Sequence, residues 1–471
     1  MRKTFTRCLV AVVLALCCAQ GSFAGSGGVG GLQMATLQEL RASFKLNAPT
    51  RAIMNAVTAN DLRALAINRQ LLAPRDTLFA HVIKTHGITN QARSGRCWLF
   101  AGLNVIRQDV ARRLNLENFE FSESYLFFWD KLEKANLFLE SIIERRDRDV
   151  QDREVEWLLK HPIPDGGQWN MVVDLVNKYG LVPKEVMPES RHTSNTGTMN
   201  HLLAKLLRRD AAKLRTMARE GKTLSDLRAA KKEMLKDVYR VLAICMGVPP
   251  TQFQWRYKDK DGNLSELKTY TPQQFYKEVV DFDLSDYVYL INCPTRPYGK
   301  LYEITFDRDL YDRPNMTFVN VGSEVLKQCT LKMILNDQPV WFGCDVGQED
   351  YTKRGIMSPG IYDYSALLGV DFGMSKAERI LYHDSIPTHA MVFVGVDTLN
   401  GKPVKWLVEN SWGTKVGDKG FLRMDDRWFD EYVYAAIVHK KYLPKRVLDV
   451  LKTKPVVLPP WDPMYAVTVW E

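Results

Sequence analysis

A cysteine within the segment NQARSGRCWLFA, residues 90–101, has the surroundings that best suit covalent chemistry. Cys97 follows Gly95 and precedes apolar residues spaced three and four apart, which predicts an amphipathic helix from Cys97 to Leu114. The N-terminus of a helix carries unpaired N–H groups and partial positive charge, and both favour a thiolate over a thiol. Cys97 is therefore a candidate nucleophile.

Two polar residues in the C-terminal part extend this set. His389 opens the apolar run HAMVFVGV, and Asn410 opens NSWG after the next predicted strand. Asn400-Gly401 predicts a tight hairpin turn between the two strands, which would bring the His389 and Asn410 side chains together. A lone histidine or asparagine at such a place is usually structural. A cysteine, a histidine and an asparagine together can form a nucleophile, a base and a group that orients the base.

The elements that must position these residues follow from the hydrophobic periodicity. Helical patterns dominate up to Met246, and short apolar runs dominate from Pro339 onwards, so the chain is predicted to be α+β. The Lys/Arg-rich stretch of residues 200–246 is interpreted as a solvated helical hairpin rather than an anion site. A β-hairpin is predicted around Asp261-Gly262-Asn263. Strands are predicted at residues 391–396, 404–408, 420–424 and 433–438.

These segments resemble the papain-like cysteine peptidases, whose motifs are a glutamine before a Gly-x-Cys-Trp helix start, a strand histidine and Asn-Ser-Trp-Gly. SGRCWLF around Cys97, DGGQW from Asp165 and WDPM ending at Met464 narrow the resemblance to the bleomycin hydrolase and aminopeptidase C branch. His389 lies about 290 residues after Cys97, whereas papain-type enzymes use about 130–150. The helical insertion accounts for the surplus. The resemblance covers the chain from about Leu37 to its end.

The resemblance implies a papain-like two-lobed fold, with a helical lobe plus a β-barrel-like lobe and a helical insertion. Residues 37–471 would form the peptidase domain. The predicted segments are a signal peptide at 1–24, a flexible linker at 25–36, a helical lobe at about 80–199, the helical insertion at about 200–250, a hairpin region at 251–330, a β lobe at about 331–445 and a C-terminal tail at 446–471 that enters the active-site cleft.

The resemblance also implies the roles of four residues. Cys97 would be the nucleophile, and His389 would hold the proton of an imidazolium–thiolate pair. Asn410 would fix the imidazole ring. Gln91 would form the oxyanion hole together with the backbone N–H of Cys97.

The resemblance implies supporting roles for five further residues. Trp412 would shield the His389–Asn410 hydrogen bond, and Trp98 would support the site. Gly166 and Gly167 would line the substrate cleft together with Glu471 or a trimmed C-terminus. No metal and no cofactor is implied, although an exposed thiolate needs reducing conditions.

A tail in the cleft implies an aminopeptidase, because a terminal carboxylate can pair with the free α-amino group of a peptide. Members of this branch assemble as homohexamers. After Met464 this chain continues YAVTVWE, a few residues beyond the usual tail, and we hypothesise that Cys97 trims it. One alternative is a papain-like endopeptidase with an open cleft. The other is a non-catalytic hexamer that binds peptide or nucleic acid, the latter through the basic segment from Lys205 to Arg240.

The first 24 residues have the pattern of a secretory signal peptide. Arg2 and Lys3 precede the apolar run Cys8–Cys18, and small residues precede Gly25. We expect a periplasmic or secreted protein without a transmembrane segment; acylation at Cys17 or Cys18 as a lipoprotein is the alternative.

Composition limits the class of protein further. A hydrophobic share of 46% with 25% charged residues excludes disordered, collagenous and coiled-coil chains. Removal of the signal peptide would lower the net charge from +9 to +6, which is weak for a nucleic-acid binder. It would also leave five cysteines, so at least one thiol must be free.

Overall fold

The computed structural model describes residues 30–73 and 76–468, which form two compact units that divide after Leu65. The described part of the first unit contains three helices without a buried residue: Met34–Ser43, Ala48–Ala59 and Leu62–Leu65. The unit that holds Cys97 begins at Ala66, later than the predicted domain start at Leu37. The predicted signal peptide, with Cys17 and Cys18, lies outside the described residues.

The second unit combines helices with a large mixed sheet. Four helices lie between Cys97 and Tyr179, and two long helices follow them. Its helices are Cys97–Arg113, Glu123–Glu144, Arg153–Lys160, Trp169–Tyr179, Gly197–Arg219, Leu224–Met246, Pro272–Phe275, Ser323–Ile334, Tyr364–Leu368, Lys376–Leu381, Asp426–Tyr432 and Lys445–Val450. Short helical turns occur at Lys184–Val186, Tyr276–Val280, Thr352–Arg354, Lys440–Tyr442 and Pro463–Thr468.

Twelve strands of the described chain belong to one sheet. In spatial order, eleven of them are Val456–Leu458, Lys300–Ile304, Thr317–Asn320, Tyr287–Ile291, Val433–His439, Val340–Cys344, His389–Leu399, Lys402–Glu409, Phe421–Asp425, Ile356–Met357 and Asp350–Tyr351. The twelfth, His81–Val82, pairs with His389–Leu399. Phe253–Trp255 and Lys268–Tyr270 form the predicted separate hairpin.

The main sheet extends beyond the residues of the predicted β lobe at 331–445. Three strands from the predicted hairpin region and one from the predicted tail join the main sheet, the first of them Tyr287–Ile291. That strand is buried at four consecutive positions, so it lacks the alternation of apolar and polar residues that marks a half-buried strand. The tail strand, Val456–Leu458, pairs in parallel with Lys300–Ile304.

Both faces of the sheet are covered in its centre. Ala390, Val392 and Val394 on one face share a core with the helices that follow Cys97. Met391 and Phe393 on the other face pack in a second core that includes residues of Ser323–Ile334 and Asp426–Tyr432, two helices of the C-terminal part. This two-sided burial explains the uninterrupted apolar run after His389.

The helix that begins at Cys97 is buried on nearly every side. The prediction of an amphipathic helix with a solvent-exposed polar face is therefore wrong. Even Asn104, Arg107 and Gln108 are buried. Arg107 donates a 2.5 Å hydrogen bond to Glu409, the residue before Asn410. Polar residues in this helix therefore bind internal partners instead of water.

The predicted helical insertion is a pair of long helices, Gly197–Arg219 and Leu224–Met246. Each helix has one buried apolar stripe, which includes Leu203 and Leu207 in the first and Val238 and Leu242 in the second. The remaining faces carry the Lys and Arg side chains. Among the residues described, none of the helices has the length and apolar character needed to cross a membrane.

Candidate active site

Cys97 is the first residue of its helix, and its side chain is buried. The chain enters the helix through a close contact at Gly95, whose N–H donates to Asp165 Oδ2 at 3.1 Å. A Cβ on Gly95 would lie 2.7 Å from the Asp165 Cβ, so this position excludes a side chain. The Gly-x-Cys sequence thus lets the backbone approach the Asp165 carboxylate just before the thiol.

His389 and Asn410 are joined across the predicted hairpin. Their strands pair in antiparallel fashion, and the turn residues Asn400 and Gly401 have φ values of 53° and 75°. His389 Nε2 and Asn410 Oδ1 lie 2.9 Å apart. Asn410 Oδ1 also accepts the N–H of Ser411 at 2.7 Å, which identifies it as the amide oxygen. Nε2 of His389 therefore carries a proton, and Nδ1 is the nitrogen left for chemistry.

Trp412 covers this pair. Its ring centroid lies 4.8 Å from that of His389, with the planes inclined at 32°. The backbone of Trp412 also bridges to Asn90, next to Gln91. The indole thus limits the access of water to the His389–Asn410 hydrogen bond.

The start of the His389 strand reaches the thiol. The backbone N–H groups of Ala390, Trp98 and Cys97 itself lower the pKa of the Cys97 thiol, because they favour the thiolate. Burial nevertheless raises the pKa of the Cys97 thiol to about 11. Burial also lowers the pKa of His389 to about 4, against the opposing effect of its bond to Asn410. The helix N-terminus alone does not produce the thiolate that the sequence led us to expect.

Gln91 lies beside the same asparagine strand. Its backbone N–H donates to Ser411 O at 2.8 Å, and its side-chain Oε1 accepts from Ser411 Oγ at 2.7 Å. Its Nε2 donates one hydrogen to Ser94 O at 2.6 Å. An amide nitrogen has two hydrogens, so one remains for another acceptor.

Trp98 and Gly167 pack against each other behind Cys97. Trp98 Nε1 donates to Asp165 O at 2.9 Å, and Trp98 O accepts from Trp341 Nε1 at 3.0 Å. A Cβ on Gly167 would come within 2.6–2.8 Å of the Trp98 ring. The loop that carries Gly166 and Gly167 therefore packs directly on the Trp98 ring, next to Cys97.

The Asp165 carboxylate is an ionic centre that the sequence did not predict. It is buried, lies 2.5 Å from Lys131 Nζ, and accepts hydrogen bonds from Asn200 and Thr196. Although burial raises the pKa of Asp165, the Lys131 charge and the hydrogen bonds bring it down to about 2. In the sequence, the charged residues of the Glu123–Glu144 helix indicated this buried ion pair only weakly, because charges spaced among apolar residues usually belong to a solvent-exposed helix face.

The described part of the tail lies next to the Gly166–Gly167 loop. Met464 and Tyr465 are buried. The carbonyl of Met464 lies 3.5 Å from Gln168 Nε2, and Tyr465 Oη donates to Phe306 O at 3.1 Å. Glu471 lies outside the described residues. The five cysteines of the described chain are all free thiols.

Comparison with known proteins agrees with this geometry. The model of the Peptidase C1-like family matches residues 31–465. Aminopeptidase C of Streptococcus thermophilus is 42% identical over 91% of this chain and 97% of its own, and bleomycin hydrolase of Homo sapiens is 40% identical over 90% and 96%. The crystal structure of PepW from Lactobacillus rhamnosis superposes with a TM-score of 0.90 at 40% identity, over 92% of this chain and 99% of that chain. The resemblance to the bleomycin hydrolase and aminopeptidase C branch and the papain-like α+β fold are thus confirmed, and the chain belongs to the Peptidase C1-like family of cysteine peptidases.

Proposed function

We propose that this chain is a cysteine aminopeptidase that removes N-terminal residues from peptides. The observation that carries the proposal is the 2.9 Å bond between His389 and Asn410, at the start of a strand whose next residue, Ala390, lowers the pKa of the Cys97 thiol through its backbone N–H. A thiol, an imidazole and an amide that orients the imidazole are the groups needed for acyl transfer to sulfur.

The proton moves within the Cys97–His389 pair. Burial opposes the ionisation of either group alone, whereas transfer from Sγ to Nδ1 of His389 creates two opposite charges together. Their attraction in a buried site offsets part of the desolvation cost. Asn410 Oδ1, which accepts the Nε2 proton, stabilises the imidazolium.

The thiolate then attacks the carbonyl carbon of the scissile peptide bond. The oxyanion of the tetrahedral intermediate accepts hydrogen bonds from the backbone N–H of Cys97 and the second hydrogen of Gln91 Nε2. His389 gives its proton to the leaving amine and afterwards takes one from the water that cleaves the thioester. A single donor of this kind contributes about 3–4 kcal/mol to lowering the barrier.

The tail supplies the restriction to N-terminal residues. It pairs through Val456–Leu458 with the main sheet, forms the Asp462–Arg296 ion pair and reaches Gln168 beside the Gly166–Gly167 loop. A carboxylate placed beyond this point would occupy one side of the cleft and bind the α-ammonium group of a substrate. The endopeptidase alternative requires this side to be open.

Hydrolysis of a free aminoacyl-coumarin and of its N-acetylated twin, under reductant, tests the proposal. We expect the wild type to cleave the free amine only and Cys97→Ala to cleave neither. Cleavage of both substrates would replace the aminopeptidase by an endopeptidase. Absence of both activities would favour a tail-plugged zymogen or a binding protein.

We also propose that Cys97 trims the tail, because an extended peptide that enters the cleft of a reactive thiol would be a substrate. Intact-mass analysis of active wild type should show loss of residues after Met464, and Cys97→Ala should retain them. An untrimmed Glu471 in fully active enzyme would exclude trimming.

We also propose that residues 1–24 direct export to the periplasm or the medium and that the mature chains form a homohexamer. The basic start and apolar run support export, and the branch to which the chain belongs supports the hexamer. N-terminal sequencing of the protein from cell fractions should find Gly25 first. Light scattering should find six times the chain mass.

A further inference from the structure

Arg96, directly before Cys97, is a buried charge without a part in the mechanism above. Its side chain is 0% exposed. The guanidinium carbon lies 5.0 Å and 5.1 Å from the ring centroids of Phe100 and Phe127. A charge buried among aromatic rings costs several kcal/mol unless it is paired and hydrogen-bonded. Its partners therefore determine where it lies.

Glu189 holds Arg96 in a bidentate ion pair. The two terminal nitrogens of Arg96 donate to the two carboxylate oxygens at 3.1 Å and 2.7 Å. One of them also donates to Thr193 O at 2.7 Å. Although burial raises the pKa of Glu189, the Arg96 charge brings it down to about 2, so the pair stays ionised at neutral pH. This fork fixes both the position and the plane of the guanidinium.

The third guanidinium nitrogen, Nε, connects the ion pair to Gln91. Arg96 Nε donates to Ser94 Oγ at 2.9 Å, and Ser94 Oγ donates its single proton to Gln91 O at 2.6 Å. Gln91 Nε2 returns a hydrogen bond to Ser94 O at 2.6 Å. Because Arg96 occupies a lone pair of the hydroxyl, the Ser94 proton is directed to Gln91. Backbone and side chain of Gln91 are thus both tied to Ser94.

The backbone between Gln91 and Ser94 needs this support. Ala92 has a φ of 52°, in the left-handed region that non-glycine residues rarely adopt. Such a conformation costs about 1–3 kcal/mol and persists only where surrounding contacts hold it. The Asn90 side chain, which accepts the Ala92 N–H at 2.9 Å, and the Ser94 bonds hold it from within the segment, and the backbone bonds of Gln91 to Ser411 and of Arg93 to Ser194 hold it from outside.

We propose that Arg96, fixed by Glu189, is a positioning residue for the oxyanion hole. It acts on both donors: through Ser94 it directs the free hydrogen of Gln91 Nε2, and because its guanidinium anchors the N-cap position of the helix, it fixes the backbone that carries the Cys97 N–H. The proposal rests on the proposed acyl-transfer function. It assigns the pair a role in stabilising the tetrahedral intermediate, separate from substrate binding and from thiolate formation.

Arg96→Lys and Glu189→Gln test this role, with Arg379→Lys as the matched control. Arg379 is also a buried arginine paired with a glutamate, Glu431, but it lies on another helix of the C-terminal part. Three quantities are measured for each folded variant: kcat and KM, the affinity for a peptide aldehyde whose thiohemiacetal oxygen occupies the oxyanion hole, and the rate of Cys97 alkylation by iodoacetamide against pH.

We expect Arg96→Lys to lower kcat by about 10–100-fold, somewhat less than the loss of an oxyanion donor itself. KM should stay within about twofold. Aldehyde affinity should fall in parallel with kcat, while the alkylation rate and its pH profile stay at the wild-type level. Arg379→Lys should lower the melting temperature without changing kcat or aldehyde affinity.

Wild-type kcat and aldehyde affinity in folded Arg96→Lys would overturn the proposal. An alkylation rate that falls together with kcat would also overturn it, because the pair would then act on the thiol. If Arg96→Lys does not fold, Ser94→Ala removes the hydroxyl that connects Arg96 to Gln91 and leaves the Arg96–Glu189 ion pair intact. We then expect kcat and aldehyde affinity to fall together by about tenfold. The aldehyde and alkylation measurements do not require a free substrate amine. A failure of the aminopeptidase assignment can therefore be distinguished from a failure of the role proposed for Arg96.

Discussion

The two sides of the candidate site are held in place by different forces. The helical side, with Cys97 and Gln91, relies on buried ion pairs, Arg96–Glu189 and Lys131–Asp165. The sheet side, with His389 and Asn410, relies mainly on backbone pairing between strands and on apolar packing, and the buried Arg107–Glu409 pair joins it to the helical side. A helix uses up its backbone hydrogen bonds internally, whereas a strand bonds its neighbours through the backbone. On the helical side, the buried ion pairs therefore add to the apolar packing that places the helices.

Loss of the nucleophile should have the largest effect. We expect Cys97→Ala to lower turnover by at least about 10⁴-fold, because the helical side then retains only its oxyanion donors. Steady-state kinetics on protein with an unchanged melting temperature checks this. Residual activity within tenfold of the wild type would assign the nucleophile to another residue.

Loss of a charge partner on the helical side should lower the free energy of unfolding more than loss of apolar packing on the sheet side. Lys131→Met removes the buried cation that lies 2.5 Å from the Asp165 carboxylate, and we expect it to lower the free energy of unfolding by about 3–5 kcal/mol. Val396→Ala, the sheet-side control, removes buried methyl groups from the second core and should cost about 2–3 kcal/mol.

Urea unfolding measures both variants. Adding Asp165→Asn to Lys131→Met also removes the negative charge at residue 165 and should restore at least about 1 kcal/mol of the free energy of unfolding. A double variant less stable than Lys131→Met would show that charge pairing is not what holds the helical side.

Loss of the orienting amide should have a smaller effect than loss of the thiol. Asn410→Ala keeps the nucleophile and the base but frees the imidazole ring, so we expect kcat to fall by about 10–100-fold. The melting temperature should change little, since the backbone pairing of the sheet side remains. A loss as large as that of Cys97→Ala would mean that the sheet side also depends on a polar side chain for its structure.

Acid should weaken the helical side selectively. The pKa of Asp165 is lowered from 3.8 to about 2, so its contribution is complete above pH 4 and is lost as the pH falls towards 2. This lowering of the Asp165 pKa corresponds to about 2 kcal/mol of the free energy of unfolding. The difference in unfolding free energy between wild type and Asp165→Asn should shrink by about that amount from pH 5 to pH 2. A constant difference would contradict the assignment.

The sequence predicted the sheet side better than the helical side. Strand runs, the Asn400-Gly401 turn and the NSWG motif depend on local pattern, and the strands formed near their predicted positions. Asp165 and Lys131 come from distant elements, and Glu189 lies far in sequence from Arg96. Charged residues in a helical pattern look the same whether they face solvent or a partner, so periodicity could not distinguish the buried pairs.

The topology also affects the nascent chain. Cys97 leaves the ribosome about 310 residues before Asn410, and the hairpin that carries the base is among the last parts made. At roughly 5–20 residues per second this interval lasts about 15 to 60 s. During that time the thiol exists without its imidazole partner, so an incomplete chain has a cysteine but no peptidase centre. Interrupted translation products therefore cannot digest their neighbours.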